Sequence, residues 1–162
     1  KDKSLLPLIE TLNIAQQKII ECGECGNIDL EPICNICINY KRDKTTICIV
    51  EEPKDIVAFE KIGYMGSYHV LGGLISPLDG VGPDDLNISE LQSRLDGVDE
   101  IILGMNTSIE GDATELYIRQ ILNNQEIKVS RLARGLPIGG NLEFIDEATL
   151  SQSVRERIEI KK

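Results

Sequence analysis

A chain of 162 residues, 41% hydrophobic and 27% charged, is long enough for one domain with a sizeable core and a small appendage. Its formal charge of −10 argues against broad, nonspecific nucleic-acid binding, because neutralising phosphates takes clustered Lys and Arg. No apolar run approaches the roughly 20 residues that span a bilayer, and the first ten residues lack the basic start and long apolar stretch of a secretory signal.

Residues 4–21 place Leu5, Leu8, Ile9, Leu12, Ala15, Ile19 and Ile20 near helical spacing, predicting a helix with Ser4 as its cap and Pro7 in the first turn. That helix runs into "CGECGNIDLEPICNIC", where Cys22, Cys25, Cys34 and Cys37 have the spacing C-x2-C-x8-C-x2-C. Two C-x-x-C turns can bring four thiolates around one tetrahedral metal ion, and Gly23, Gly26 and Asn27 suit the tight backbone this needs. The loop is too small to fold on a core of its own, so metal would supply its folding free energy. Structural zinc is the favoured reading, with an iron–sulfur cluster left open by four cysteines alone. Tandem C-x-x-C pairs do not fit a thioredoxin-like redox site, and the absence of a secretory signal disfavours disulfides. The fifth cysteine, Cys48, lies in the apolar run "TTICIV" and reads as core.

Residues 45–52 read as a buried strand, 53–63 as a helix opened by Pro53 and closed by Gly63, and 67–73 as a second strand. A glycine- and proline-containing loop over 72–86 follows. Asn87-Ile88-Ser89-Glu90 has capping-box spacing and predicts a short helix through Leu95. A strand over 99–105, a helix over 111–122, a strand over 126–133, an extended "LEFID" and a helix from Glu147 complete the pattern, with Asp146 as the last helix's cap. Alternating strands and helices predict an α/β fold with a small, mainly parallel sheet flanked by helices. Parallel strands gather functional loops at their carboxyl ends. That rule brings Glu51, Glu52 and Asp55 to the same edge as the segment Asn106 to Gly111, which contains Glu110. The lone His69 reads as structural.

"ICIVEEPKD" followed by "IILGMNTSIEG" resembles the Toprim domain of topoisomerases, primases and some nucleases. The resemblance puts Glu51 on that family's glutamate position, Asn106 and Ser108 on the two positions of its Asp-x-Asp motif, and Glu110-Gly111 on the trailing Glu-Gly. Glu52 replaces a residue that is usually Gly. Asn and Ser keep oxygens but no charge, so Glu51 and Glu110 would bind a single Mg²⁺ only weakly, and two-metal phosphoryl chemistry is not expected.

A helix, a four-cysteine loop and a Toprim domain with this altered motif together resemble the RecR family. "YHVLGGLISPLDGVGP", "NTSIEGDAT" and "RLARGLPIGGNLEFIDEATL" are the most specific stretches. The resemblance implies four segments: 1–21 as the remnant of a helix-hairpin-helix region, 22–44 as a zinc finger, 45–140 as the Toprim domain, and 141–162 as an oligomerisation element. The family's Pro-Gly-Ile-Gly-like turn does not precede Cys22, and the chain does not begin with Met, so it is expected to lack the amino-terminal DNA-binding part.

The resemblance further implies a noncatalytic recombination mediator of the bacterial cytoplasm, assembled as a ring-like homotetramer. It would work with RecO and RecF to load RecA on single-stranded or gapped DNA, and would touch DNA mainly through the amino-terminal region. An acidic edge of Glu51, Glu52, Asp55 and Glu110 is expected to dock partners, and Arg131 and Arg134 to face DNA. The competing expectation is a Mg²⁺-dependent Toprim nuclease or primase-like enzyme. An autonomous ATPase is not expected, since no G-x-x-x-x-G-K-[ST] phosphate loop is present.

Overall fold

The computed structural model describes residues 5–160, so the expected cap at Ser4 lies outside the described residues. Two compact units divide the chain, Lys1–Ser130 and Arg131–Lys162.

The first unit opens with helix α1, Leu5–Lys18, none of whose residues is buried. A two-residue antiparallel ribbon follows, β1 (Ile20–Glu21) against β2 (Ile28–Asp29). It forms the stem of the cysteine loop and was too short to leave a periodic signal in the sequence. The central sheet has the order β4-β3-β5-β6, with β3 at Asp43–Val50, β4 at Gly66–Val70, β5 at Glu100–Leu103 and β6 at Lys128–Arg131. Both neighbours of β3 run parallel to it, with Cys48 opposite Tyr68 on one side and Ile102 on the other. Helix α2 (Pro53–Lys61) connects β3 to β4, and α4 (Ile109–Leu122) follows β5.

Side-chain alternation along β3 explains the layers. Cys48 and Val50 point to a cluster with Tyr68, Val70 and Ile56, against which Phe59 and Tyr64 pack. Ile47 and Ile49 point the other way, to Leu71, Leu91, Ile101, Leu103, Ile118 and Leu122. The sheet is therefore covered on both faces, as a parallel sheet needs. Cys48 is a core residue as expected: it is buried, and burial pushes its thiol up to about 12.

Two local expectations are corrected. Asn87 precedes helix α3, Ile88–Gln92, but makes no side-chain cap. Its amide instead donates to the Val70 carbonyl at 3.1 Å, and the helix ends before Leu95. In the second unit, the segment read as extended forms a 3₁₀ turn, Leu142–Phe144. Asp146 caps helix α5, Glu147–Arg155, as expected, accepting from the Thr149 amide at 2.8 Å.

Candidate metal centre and acidic edge

The four sulfurs of Cys22, Cys25, Cys34 and Cys37 lie within 4.8 Å of one another, and all four residues are buried. A tetrahedral ion with metal–sulfur bonds near 2.3 Å would hold its sulfurs about 3.8 Å apart, so a small contraction accommodates it. Each knuckle is shaped by backbone. The Gly26 amide donates to the Cys22 carbonyl at 2.9 Å, and Gly26 takes φ +74°, open chiefly to glycine. Backbone amides point at sulfur, Asn27 to Cys25 at 3.4 Å and Cys34 to Cys22 at 3.3 Å.

The protonation pattern shows what a cation would change. The Cys37 thiol and the Asn27 amide hold Cys25 down to about 6, against the effect of burial. Burial raises Cys34 to about 11, and donation to Cys25 together with burial raises Cys37. Four crowded sulfurs cannot all ionise without a positive charge among them, and a bound metal supplies it. With four protein ligands no position is left open for substrate, so the cluster fits a structural ion.

The loop is tied firmly to the sheet. The Cys25 carbonyl accepts the Val70 amide at 2.8 Å. Lys44 donates to the Cys37 carbonyl, and Glu24, between the first two cysteines, faces Arg94 at 3.6 Å. Arg94 in turn donates to the Tyr68 carbonyl and to Nδ1 of buried His69. Because a guanidinium only donates, Nδ1 is the acceptor, and Nε2 carries the proton given to the Asn87 carbonyl at 2.6 Å. His69 is thus a structural cross-brace in this packing.

The second site lies at the carboxyl ends of β3 and β5. A cavity of about 370 Å³ is lined by Glu51, Leu74, Ser76, Asp79, Val81, Asn106, Ser108 and Glu110. Glu51 stands one residue past β3 and accepts from the Asn106 side-chain amide at 2.9 Å. Ser108 caps α4 by accepting from the Gly111 amide at 3.0 Å, which sets Glu110 in the first turn. Gly111 is required there, since a Cβ would lie 2.2 Å from the Asn106 carbonyl oxygen.

Glu52 and Asp55 do not line this cavity. Asp55 accepts from the Glu52 amide at 2.9 Å and Glu52 pairs with Lys54, so both sit at the start of α2. Arg131 pairs with Glu156 within the second unit, where Arg134 is half-buried.

Asp79 is the residue that sequence reasoning missed. It accepts from the Ser76 hydroxyl at 2.6 Å, in a turn pinned by a Ser76–Val81 bridge. The Ser-x-x-Asp spacing inside the 72–86 loop was the available signal. Thr114 holds this loop against α4, accepting from the Ile75 amide at 2.9 Å and donating to the Glu110 carbonyl at 2.7 Å.

A parallel α/β sheet with carboxylates at the ends of β3 and β5, preceded by a buried four-cysteine cluster, defines a Toprim protein with an attached metal-binding loop. The chain matches the Toprim domain over residues 45–133 and the C-terminal region of RecR over 135–158. It is 47% identical over 154 residues to recombination protein RecR of Desulfitobacterium hafniense (strain Y51), covering 94% of this chain and 78% of the relative. Its identity to the protein of the same name from Chlorobium luteolum is 49% over 158 residues, 93% of this chain and 78% of that one. For Erythrobacter litoralis the figure is 43% over 160 residues, 97% and 81%. The chain belongs to the RecR family of recombination proteins.

Among the described residues, no helix is long and apolar enough to cross a membrane.

Proposed function

We propose that the chain is the zinc-bearing core of a noncatalytic recombination mediator in DNA repair, whose acidic cavity docks a basic surface of RecO or RecF. The observation that carries this reading is the 2.9 Å bond from the Asn106 amide to Glu51. Where an enzyme of this fold would place a second carboxylate for Mg²⁺, an N–H donor occupies one oxygen of Glu51. An amide donor beside the carboxylate partly compensates its charge and competes with a cation for the same lone pairs. Glu51, Asp79 and Glu110 nonetheless leave the cavity acidic, with Leu74 and Val81 also in its lining. Such a concavity suits a lysine or arginine side chain of a protein partner.

Zinc fits the cysteine cluster better than iron–sulfur because the four sulfurs already approach the spacing of one tetrahedral ion. Assembly into a ring-like homotetramer is supported by the exposed apolar side chains of α1, among them Leu6, Leu8 and Leu12, and of Phe144, Val154 and Ile158 in the second unit, and the bacterial cytoplasm is assigned from the likeness to bacterial RecR proteins. Arg131 and Arg134 are assigned to DNA contact within that ring, which loads RecA on single-stranded or gapped DNA.

The test is calorimetric titration with RecO. Glu51→Gln combined with Glu110→Gln should weaken binding about tenfold or more, with metal content and far-ultraviolet circular dichroism retained. Unchanged affinity would overturn the docking assignment. Metal-dependent cleavage of single-stranded, duplex or gapped DNA that disappears in the same variant would restore the enzymatic reading.

A further inference from the structure

The amino-terminal end of the β3–β4 pair carries a second feature of opposite charge. Residues 39–42 form a turn, closed by the Arg42 amide donating to the Asn39 carbonyl at 3.2 Å, with Tyr40 and Lys41 at its tip. Tyr40 is 86% exposed, whereas the other aromatic rings of the first unit, Phe59, Tyr64, Tyr68 and Tyr117, are buried or half-buried. A lone exposed ring on a turn gains nothing for the fold.

A second turn stands beside the first. Helix α2 ends at Lys61, and the chain reverses through Ile62 and Gly63, the latter at φ +74°. The two turns are held side by side, because the Asp43 amide donates to the Met65 carbonyl at 2.9 Å and Arg42 donates to the Tyr64 and Gly66 carbonyls. Ile62 is 78% exposed next to this junction.

The charges there do not cancel. Glu60 is taken up by Arg42 and by the Tyr68 hydroxyl. The Asp43 carboxylate accepts from the hydroxyls of Thr45 and Thr46 and from the Thr45 amide. Lys44 is committed to the Cys37 carbonyl, 4.0 Å from Glu24. Among the described residues, neither Lys41 nor Lys61 has a carboxylate within ion-pair distance. In a chain of net charge −10, the two turns and their flanks carry Lys41, Arg42, Lys44 and Lys61 against Asp43 and Glu60 and so are locally positive, while the carboxyl end of the same strands holds Glu51, Asp79 and Glu110.

We propose that Tyr40, Lys41 and Lys61 form a contact for single-stranded DNA, separate from the acidic cavity. Tyr40 stacks on a base, and the two ammonium groups take the flanking phosphates. An aromatic face with adjacent lysines is the elementary unit by which single strands are held without sequence preference. The acidic cavity at the carboxyl end of the same strands repels the phosphate backbone and so disfavours binding there. The ring and Ile62 stand at projecting turn tips, which suits a stacked base better than the apolar side chain of an acidic peptide, since that would need a groove.

The experiment is fluorescence anisotropy of a dye-labelled oligothymidylate with the metal-loaded chain at about 50 mM salt. Tyr40→Ala should weaken binding about tenfold and Tyr40→Phe should retain it. Lys41→Gln and Lys61→Gln should each weaken binding and reduce the slope of log affinity against log salt by about 0.7. Lys54→Gln, whose lysine pairs with Glu52 beyond the opposite, carboxyl end of β3, should change nothing. All the substituted side chains are exposed, so the variants should fold, and their thermal unfolding checks it. Absence of oligothymidylate binding, or equal binding by Tyr40→Ala, overturns the proposal. So does a result in which Tyr40→Ala loses affinity only for polyglutamate, which would assign the turns to an acidic protein partner.

Discussion

The Val70 amide donates to the carbonyl of Cys25 at 2.8 Å, so the last residue of β4 and a metal-binding knuckle share one backbone hydrogen bond. Val70 also receives the Asn87 side chain on its carbonyl, and Arg94 reaches from the turn after α3 to Glu24. The cysteine loop is therefore part of the sheet's own hydrogen-bond network. Metal loss should propagate into the sheet. Elemental analysis should find about one zinc per chain. Chelation, or Cys34→Ser, should lower stability by at least about 3 kcal/mol, a fraction of the roughly 10–16 kcal/mol that zinc gives isolated fingers. Calorimetry should show one shifted transition for the first unit. A separate early transition, with the main one unmoved, would mean that the loop is energetically independent.

Gly111 is the tightest point of the acidic edge. Its Cβ would meet the Asn106 carbonyl oxygen at 2.2 Å, and that oxygen belongs to backbone that also accepts from the Ser108 amide. Gly111→Ala must move the 106–108 turn, losing the Ser108 cap. A cost of about 2–4 kcal/mol is expected from overpacking plus the lost cap, read from urea unfolding. RecO affinity should fall as well, since Asn106 would no longer hold Glu51. A variant with normal stability would show that the turn relaxes freely.

Much of this site could be read from residue order because its physics is local. The C-x-x-C pairs bring four sulfurs together whatever surrounds them, and Glu51 and Glu110 share a cavity because each follows a strand of one parallel sheet. Asp79 could not be placed the same way: its position depends on the Ser76–Val81 bridge and on Thr114, which is distant in sequence. Asn87 misled for a related reason. Its spacing to Glu90 suggests a cap, yet the Val70 carbonyl offers its amide a long-range partner, and the tertiary bond won. The β1–β2 stem, two residues per strand, is defined by cysteine-loop closure and has no pattern of its own.

Thr114 joins the loop that bears Asp79 to the helix that bears Glu110. It is fully buried, and its hydroxyl serves as acceptor for Ile75 and donor to the Glu110 carbonyl. Thr114→Val keeps the shape but leaves the Ile75 amide without its acceptor, at an expected cost of about 1–3 kcal/mol. Hydrogen exchange at Ile75 should accelerate while exchange in β3 stays close to that of the unaltered chain. The same variant should weaken RecO binding less than the paired Glu51 and Glu110 substitutions, because the carboxylates remain. Unaltered protection at Ile75 would show that the loop is held by other contacts.

Protonation of His69 is expected to limit the stability of the fold in acid. It is 1% exposed, and burial, aided by the neighbouring Arg94 guanidinium and opposed by the Asn87 carbonyl, pushes its pKa down from 6.5 to about 4. A histidine depressed in the folded state is neutral there while the unfolded chain takes up a proton. Stability from this group is complete above about pH 6.5 and falls as pH drops toward 4, where it levels off. The shift corresponds to about 3 kcal/mol lost across that window. Acid also strips metal from thiolates, so the informative quantity is a difference. His69→Gln, which can still donate to the Asn87 carbonyl, should be less stable than the unaltered chain at pH 7.5 and approach or exceed it by pH 4.5. Urea midpoints at matched pH measure the crossing. Parallel pH dependence in the two proteins would show that protonation of His69 does not limit stability in acid.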